Sequence, residues 1–365
     1  MARPARRAAR RAGPDRTSAD LGVCAARGSG TSPSPPRKVN HEHSHHRRHR
    51  PDHRRHRPGP ARPLTASLTA VRLGGRPDHP LLVLGPSLGT SATSLWSECA
   101  RHLARDFQVV AWDLPGHGTN RAAVGEPLTV ADLAGGVLDL VDTMSQGLHA
   151  PSFHYAGDSV GGAVGLQLLL DAPHRVESAT LLCTGARLGE PALWGERAAM
   201  VRERGTEALV EASTRRWFGP GFVEGEPDRA AALLRALTEA DDEAYAVVCG
   251  ALDGFDVRDR LRAAEVAVPV LAVAGSHDVP TPPGLLRELA ALTGGAFVEL
   301  DGVGHLAPAE APQEVARLVR EHALGPEEDA PPPEVDDLVA AVRAARSAGV
   351  TAADVEALVR RVLAE

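Results

Sequence analysis

A serine hydroxyl is a useful nucleophile at neutral pH only when a base takes its proton and a third group orients that base. The stretch Gly157-Asp158-Ser159-Val160-Gly161-Gly162 has the form G-x-S-x-G. It follows a short apolar run and opens a helix-spaced one, the setting in which such a serine sits on a sharp strand-to-helix turn. Glycine is required on both flanks because the two backbones pass closely there and a β-carbon would clash. The turn is expected to expose the Ser159 hydroxyl and to set the Val160 N–H beside it. Further along, Asp278 stands in Ala274-Gly-Ser-His-Asp-Val-Pro and His305 in Asp301-Gly-Val-Gly-His-Leu, each just past an apolar run. Serine, acid and histidine in that order, the last two on loops after late strands, suit acyl transfer at the edge of an α/β sheet. Ser159, Asp278 and His305 are therefore the candidate catalytic residues. Asp253 and Asp256 compete for the acid role but precede the penultimate strand, and His277 is expected to be exposed.

Acyl transfer also needs donors for the oxyanion. Val160 N–H is one. The second should come from a loop after an early strand, where Gly85-Pro86-Ser87-Leu88-Gly89-Thr90 stands. Pro86 has no N–H, so Leu88 is assigned, with Gly89 as the alternative. Asp113, in Asp-Leu-Pro-Gly-His-Gly, is expected to brace its loop. Asp158 would repel an anionic substrate and is expected to point away from it. Trp194, Arg197 and Trp217 are the expected substrate contacts. Arg187, Arg215 and Arg216 are further candidates to hold a carboxylate. This chemistry needs no metal and no organic cofactor.

The elements that must position these residues follow from periodicity. Strands are expected at 65–73, 80–84, 107–112, 152–156, 176–183, 268–274 and 296–300. Helices are expected at 94–103, 129–144, 161–170 and 312–324, with Thr129 as N-cap and Asp132 three residues on. The alternation predicts an α/β fold, a mostly parallel central sheet with helices on both faces. Helical segments at 191–204, 206–217, 227–239 and 242–252 interrupt it and read as an inserted cap over the C-terminal edge of the sheet. The expected organisation is a basic Arg/Pro/His-rich arm at 1–63, a first core part at 64–185, a helical cap at 186–261, a second core part at 262–325, and an acidic Pro-rich linker with a helical hairpin at 326–365. The hairpin is too small to fold alone. It is expected to dock on the body or on a second subunit, which leaves a homo-oligomer open.

Composition narrows the partners. Through residue 65 the chain carries 16 basic against 4 acidic residues, and beyond it 24 against 43. The arm lacks hydrophobic periodicity and is expected to stay disordered. Its run His41-Glu-His-Ser-His-His-Arg-Arg-His reads as a solvated tail. The folding part is acidic, which argues against nucleic acid and anionic membranes as partners. A small-molecule ester or lactone remains, and an anionic one would need a local arginine. Cys24, Cys99, Cys183 and Cys249 have no metal-type spacing and read as reduced thiols. No apolar run reaches the ~18 residues of a membrane span, and no apolar segment follows the N-terminal arginine pairs. A cytoplasmic location is expected.

Over residues 64–324 the sequence resembles α/β-hydrolases of the 3-oxoadipate enol-lactonase type. The resemblance rests on Leu84-Gly-Pro-Ser-Leu-Gly-Thr-Ser with Leu95-Trp96, on Trp112-Asp-Leu-Pro-Gly-His-Gly, and on the Ser159 turn. It extends to Thr184-Gly-Ala-Arg-Leu-Gly, Trp194, Arg215-Arg216-Trp217-Phe218, Tyr245, Cys249-Gly-Ala-Leu, Ala274-Gly-Ser-His-Asp with Pro280-Thr-Pro-Pro, and Gly304-His305-Leu306. It implies the α/β-hydrolase fold and hydrolysis of 3-oxoadipate enol-lactone to 3-oxoadipate in the breakdown of protocatechuate and catechol. Some members carry a 4-carboxymuconolactone decarboxylase domain; the stretch after Leu324 is too short for one, so that activity is not expected. A general carboxylesterase or perhydrolase on the same fold is the alternative. A non-catalytic binding protein is a third reading, against which the intact Ser, Asp and His argue.

Overall fold

The computed structural model describes residues 66–326, apart from 123, 126 and 146–150, together with residue 351. The arm at 1–63 and nearly all of the linker and hairpin at 326–365 lie outside the described residues. In chain order, β1 (Thr69–Gly74) and β2 (Leu81–Gly85) lead to α1 (Ala92–Leu103), β3 (Gln108–Asp113), α2 (Val130–Met144), β4 (Phe153–Asp158), α3 (Val160–Asp171) and β5 (Val176–Leu182). Helices α4 (Pro191–Arg204), α5 (Val210–Trp217), α6 (Phe222–Gly225), α7 (Pro227–Thr238), α8 (Asp242–Asp253) and α9 (Arg258–Ala263) follow without a strand. The chain then returns to β6 (Val270–Gly275), α10 (Pro283–Thr293), β7 (Ala296–Leu300), α11 (Ala307–Glu310) and α12 (Pro312–Leu324).

The seven strands form one sheet in the order β1-β3-β2-β4-β5-β6-β7, with β1 antiparallel to β3 and every other pair parallel. The antiparallel strand sits at the edge. Central strands covered on both faces should be apolar throughout rather than alternating. Accordingly Leu82, Val83, Leu84, Ala156, Leu181, Ala272 and Val273 are all fully buried.

Local chemistry sets the helix starts. Ser91 and Ser94 exchange N–H-to-hydroxyl bonds at the start of α1, both 3.0 Å. The expected pair at the start of α2 is also reciprocal: Asp132 N–H donates to the Thr129 hydroxyl at 3.1 Å and Thr129 N–H to the Asp132 carboxylate at 2.8 Å. Three differences from the periodicity reading have physical causes. The segment 206–217 is not one helix: residues 206–209 form a 3-10 turn before α5, and Thr206 N–H donates to Asp242 at 2.8 Å, outside its own helix. Helix α10 hides behind Pro282-Pro283, which reads as a breaker; Pro283 in fact occupies the first helical position, where no N–H is needed. The helical stretch after β5 also runs on to Ala263, through α9.

The helical insertion packs on loops at the C-terminal ends of the parallel strands. A β-carbon on Gly89, after β2, would lie 2.7 Å from Leu237 and 3.4 Å from both Trp217 and Tyr245. One on Gly116, after β3, would lie 2.3 Å from Ala244.

Candidate active site

Ser159 links β4 to α3 at φ 53°, ψ −111°, a region that non-glycine residues rarely enter. Several contacts hold it there. Ser159 N–H donates to Leu182 O on β5 at 2.9 Å, and Thr184 Oγ1 donates to Ser159 O at 2.7 Å. A β-carbon on Gly157 would come within 2.4 Å of the Gly161 carbonyl, and one on Gly161 within 2.5 Å of the Gly85 carbonyl carbon. Gly161 N–H donates to Pro86 O at 2.8 Å, and Tyr155 OH donates to Gly161 O at 2.8 Å. The turn is thus wedged between β2 and β5, and only glycine fits its flanks. Strain of this kind persists only where the surroundings over-determine it.

The other two expected residues meet this serine. His305 Nε2 lies 3.0 Å from Ser159 Oγ. His305 Nδ1 lies 3.0 Å from both Asp278 carboxylate oxygens. Both Asp278 and His305 are buried, while Ser159 keeps partial exposure. Thr281 completes the arrangement: its N–H donates to Asp278 Oδ1 at 2.8 Å and its hydroxyl to Oδ2 at 2.6 Å. Burial pushes the Asp278 carboxyl up, but the imidazole and the Thr281 donors outweigh it and hold the group below the usual carboxylate range. Such a serine–imidazole–carboxylate chain can activate a hydroxyl for attack on a carbonyl. The competitors stand elsewhere: Asp256 pairs with Arg258 at 2.5 Å, Asp253 closes α8, and His277 is exposed.

The expected oxyanion donors have the backbone they need. Val160 is the first residue of α3, so its N–H has no acceptor within the helix. Residues 87–90 form a turn closed by Thr90 N–H to Ser87 O at 3.1 Å and by the Thr90 hydroxyl on both sides of Ser87, which leaves the Leu88 N–H out of those bonds. Gly89 supplies the positive φ (84°) in the third position that this turn requires. Asp113 braces its loop as expected, accepting from Ala92 N–H at 2.7 Å and from the Thr119 N–H and hydroxyl, each at 2.8 Å.

On the insertion side the four candidate arginines separate. Arg187 pairs with Glu190 at 2.8 Å and Arg215 with Glu211 at 2.5 Å. No described carboxylate forms an ion pair with Arg197 or Arg216. Arg197 lies over the Trp194 ring at 5.2 Å and interacts with the buried Tyr245 hydroxyl. Arg216 is half-buried; burial first, then the charge of Arg197, lowers its pKa, while Tyr245 and Asp278 oppose the shift. Arg216 thus feels the charges of both Arg197 and Asp278. Arg215 and Arg216 are neighbours in sequence, and only the fold shows that one is paired and the other is not. Trp217 is buried against Gly89, and Trp194 donates its indole N–H to Leu188 O.

Two carboxyls near the cluster have surroundings that only the fold shows. Asp158 is fully buried and points away from solvent; neither oxygen makes a well-formed hydrogen bond among the described residues. Burial, then the charges of Asp278 and Glu310, push it well above the usual range, and only the weak thiol donor of Cys183 opposes this. Glu310 accepts from three backbone N–H groups around His305. Cys183, Asp278 and His305 each place one ligand-type atom within 4.8 Å of the others. In this arrangement Asp278 and His305 are bonded to each other, and burial and the two nearby aspartates push the Cys183 thiol well up. Among the described residues no helix is long and apolar enough to cross a membrane.

Comparison with known proteins agrees with this architecture. Residues 80–221 match the family model described as alpha/beta hydrolase fold. The chain is 34% identical over 207 residues to 3-oxoadipate enol-lactonase 2 of Acinetobacter baylyi, covering 57% of this chain and 74% of that protein. It is 28% identical over 260 residues to a putative carbamate hydrolase RutD of Pseudomonas syringae pv. syringae, covering 67% of this chain and 93% of that one. The crystal structure of the enol-lactonase from Burkholderia xenovorans LB400 superposes with a TM-score of 0.65 at 33% identity, over 70% of this chain and 95% of that chain. By fold, by the strand-to-helix serine turn and by these similarities, the chain belongs to the α/β-hydrolases of the 3-oxoadipate enol-lactonase family.

Proposed function

We propose that this chain opens a small anionic enol-lactone, 3-oxoadipate enol-lactone, to 3-oxoadipate through an acyl-enzyme on Ser159. The observation that carries the substrate class is the pair of arginines, Arg197 and Arg216, without ion-pair partners among the described residues and beside the Ser159–His305–Asp278 cluster. In an acidic fold, such a pair favours a substrate carboxylate through charge-assisted hydrogen bonds.

Ser159 Oγ attacks the ring carbonyl while His305 Nε2 takes its proton. Asp278 keeps the imidazole oriented and offsets the charge of the imidazolium. The Leu88 and Val160 N–H groups receive the oxyanion, a contribution of about 3–4 kcal/mol per donor in comparable sites. Collapse of the tetrahedral species breaks the ring C–O bond. The leaving group is a delocalised enolate, which takes the proton back from His305 Nε2, returns the imidazole to its neutral form, and tautomerises to the ketone. A water deprotonated by His305 then attacks the acyl carbonyl and releases Ser159. Helices α4–α9 act as the cap: they exclude bulk water and bring Trp194, Arg197, Arg216 and Trp217 to the substrate. The three buried free thiols, Cys99, Cys183 and Cys249, support a reducing, cytoplasmic setting.

Similarity to named carbamate hydrolases supports a second reading on the same residues. The test compares kcat/KM for the enol-lactone, a small carbamate and a neutral aryl acetate. The lactonase reading expects the enol-lactone to exceed both others by at least about 100-fold, the scale of a charge-assisted clamp. A carbamate preferred over the lactone would replace it.

A further inference from the structure

His305 sits on a loop, and a loop alone does not hold an imbalance-free imidazole geometry; the structure places a carboxylate where it fixes that loop on both sides. Glu310 Oε2 accepts from Gly304 N–H at 3.1 Å and from Gly219 N–H at 2.7 Å, and Oε1 accepts from Leu306 N–H at 3.3 Å. The residues immediately before and after His305 are therefore tied to one carboxylate. Gly219 lies just beyond α5, in the helical insertion. A reciprocal bond runs the other way: His305 N–H donates to Trp217 O at 2.7 Å. The two backbones touch, since a β-carbon on Gly219 would lie 2.0 Å from Gly302 O and one on Gly304 2.4 Å from Trp217 O.

We propose that Glu310 is a positioning residue that locks the His305 loop to the end of α5, so that the general base and the Trp217 wall of the site are set as one unit. The inference rests on the reading of Ser159 and His305 as nucleophile and base. Three N–H donors on one carboxylate resist any rotation of the loop, and a displacement of about 1 Å at a catalytic group can cost a hundredfold in rate. The charge acts as well. His305 is among the groups that favour the ionised form of Glu310. The other groups facing this region are Asp158 from the end of β4, Cys183 after β5, Asp278 after β6, and Arg229 from α7, whose guanidinium donates to Ala309 O at 2.8 Å. Burial holds the Glu310 carboxyl above its ordinary range, and the three N–H donors and His305 offset only part of this.

The test uses a fluorophosphonate probe, which reads activation of the serine whatever the natural substrate is. Labelling rates are followed against pH in wild type, Glu310→Ala, Glu310→Gln and Ser159→Ala. Glu310→Ala should label about 100-fold more slowly. Glu310→Gln, which keeps one acceptor oxygen and loses the charge, should fall between it and wild type. Added formate, which can occupy the emptied site and accept the same bonds, should restore part of the Glu310→Ala rate. Wild-type rates in both Glu310 variants overturn the positioning role alone. Labelling that persists in Ser159→Ala overturns the nucleophile assignment, and this proposal with it.

Discussion

The sheet edge and the helical insertion meet at Ser159, but they are held in place by different means. On the sheet side the backbone does the work. Gly157 and Gly161 allow β4, α3 and β2 to approach within distances that no side chain tolerates, and main-chain bonds to Leu182 and Pro86 fix the turn. On the insertion side the work is done by side chains on helices. Trp217, Leu237 and Tyr245 pack on Gly89, and Arg197 and Arg216 stand without ion-pair partners among the described residues while Arg187 and Arg215 are neutralised by neighbours. Backbone constraint fixes the kind of reaction. Side-chain pairing within the insertion decides which arginines keep an unpaired charge, and such pairings can change without disturbing the turn.

The comparison can be broken from the sheet side first. Gly161→Ala puts a methyl group 2.5 Å from the Gly85 carbonyl carbon. It should destabilise the fold by about 3 kcal/mol, the upper range for overpacking. Urea unfolding measures this, and a change under 0.5 kcal/mol would mean that the turn is not held as described.

On the insertion side the expected loss is smaller and selective. Arg216→Leu should raise KM for an anionic lactone about 10–100-fold, the range of a lost charge-assisted hydrogen bond. Turnover of a neutral aryl acetate should hardly change. Equal losses on both substrates would count against a carboxylate site.

The smallest effect separates stability from catalysis within the sheet side. Asp158 is held well above the ordinary carboxyl range by burial. Between the ordinary value and the raised one, the unfolded chain is ionised while the fold retains the proton. Raising the pH through that window therefore costs stability. Asp158→Asn removes the titration, so the variant should gain on wild type between pH 5 and pH 8 in urea midpoints. Parallel pH dependence in the two proteins would show that Asp158 does not titrate in this way.

How much could be read from the sequence follows the same division. Ser159, Asp278 and His305 were legible because each lies in a motif whose glycines or position after a strand are demanded by backbone geometry. The two proposed oxyanion donors rest on the same kind of argument, since Pro86 has no N–H and Val160 opens a helix. The choice among the four arginines was not legible, because it depends on which acidic side chain each one meets. Glu310 was hidden because its partners, Gly219 and Gly304, are far apart in the chain and offer only backbone N–H groups. Helix α10 was missed because a proline pair resembles a break, although one of the two serves as a helix start.

The central claim is that Ser159 is the nucleophile of an enol-lactonase. Its most direct test is hydrolysis of 3-oxoadipate enol-lactone, followed as loss of ultraviolet absorbance, by wild type and Ser159→Ala side by side. The account predicts rapid turnover in wild type and a loss of about 10⁴-fold or more in the variant. Turnover that survives in Ser159→Ala would contradict the mechanism, and a wild type that ignores this lactone while cleaving an aryl ester through Ser159 would contradict the substrate.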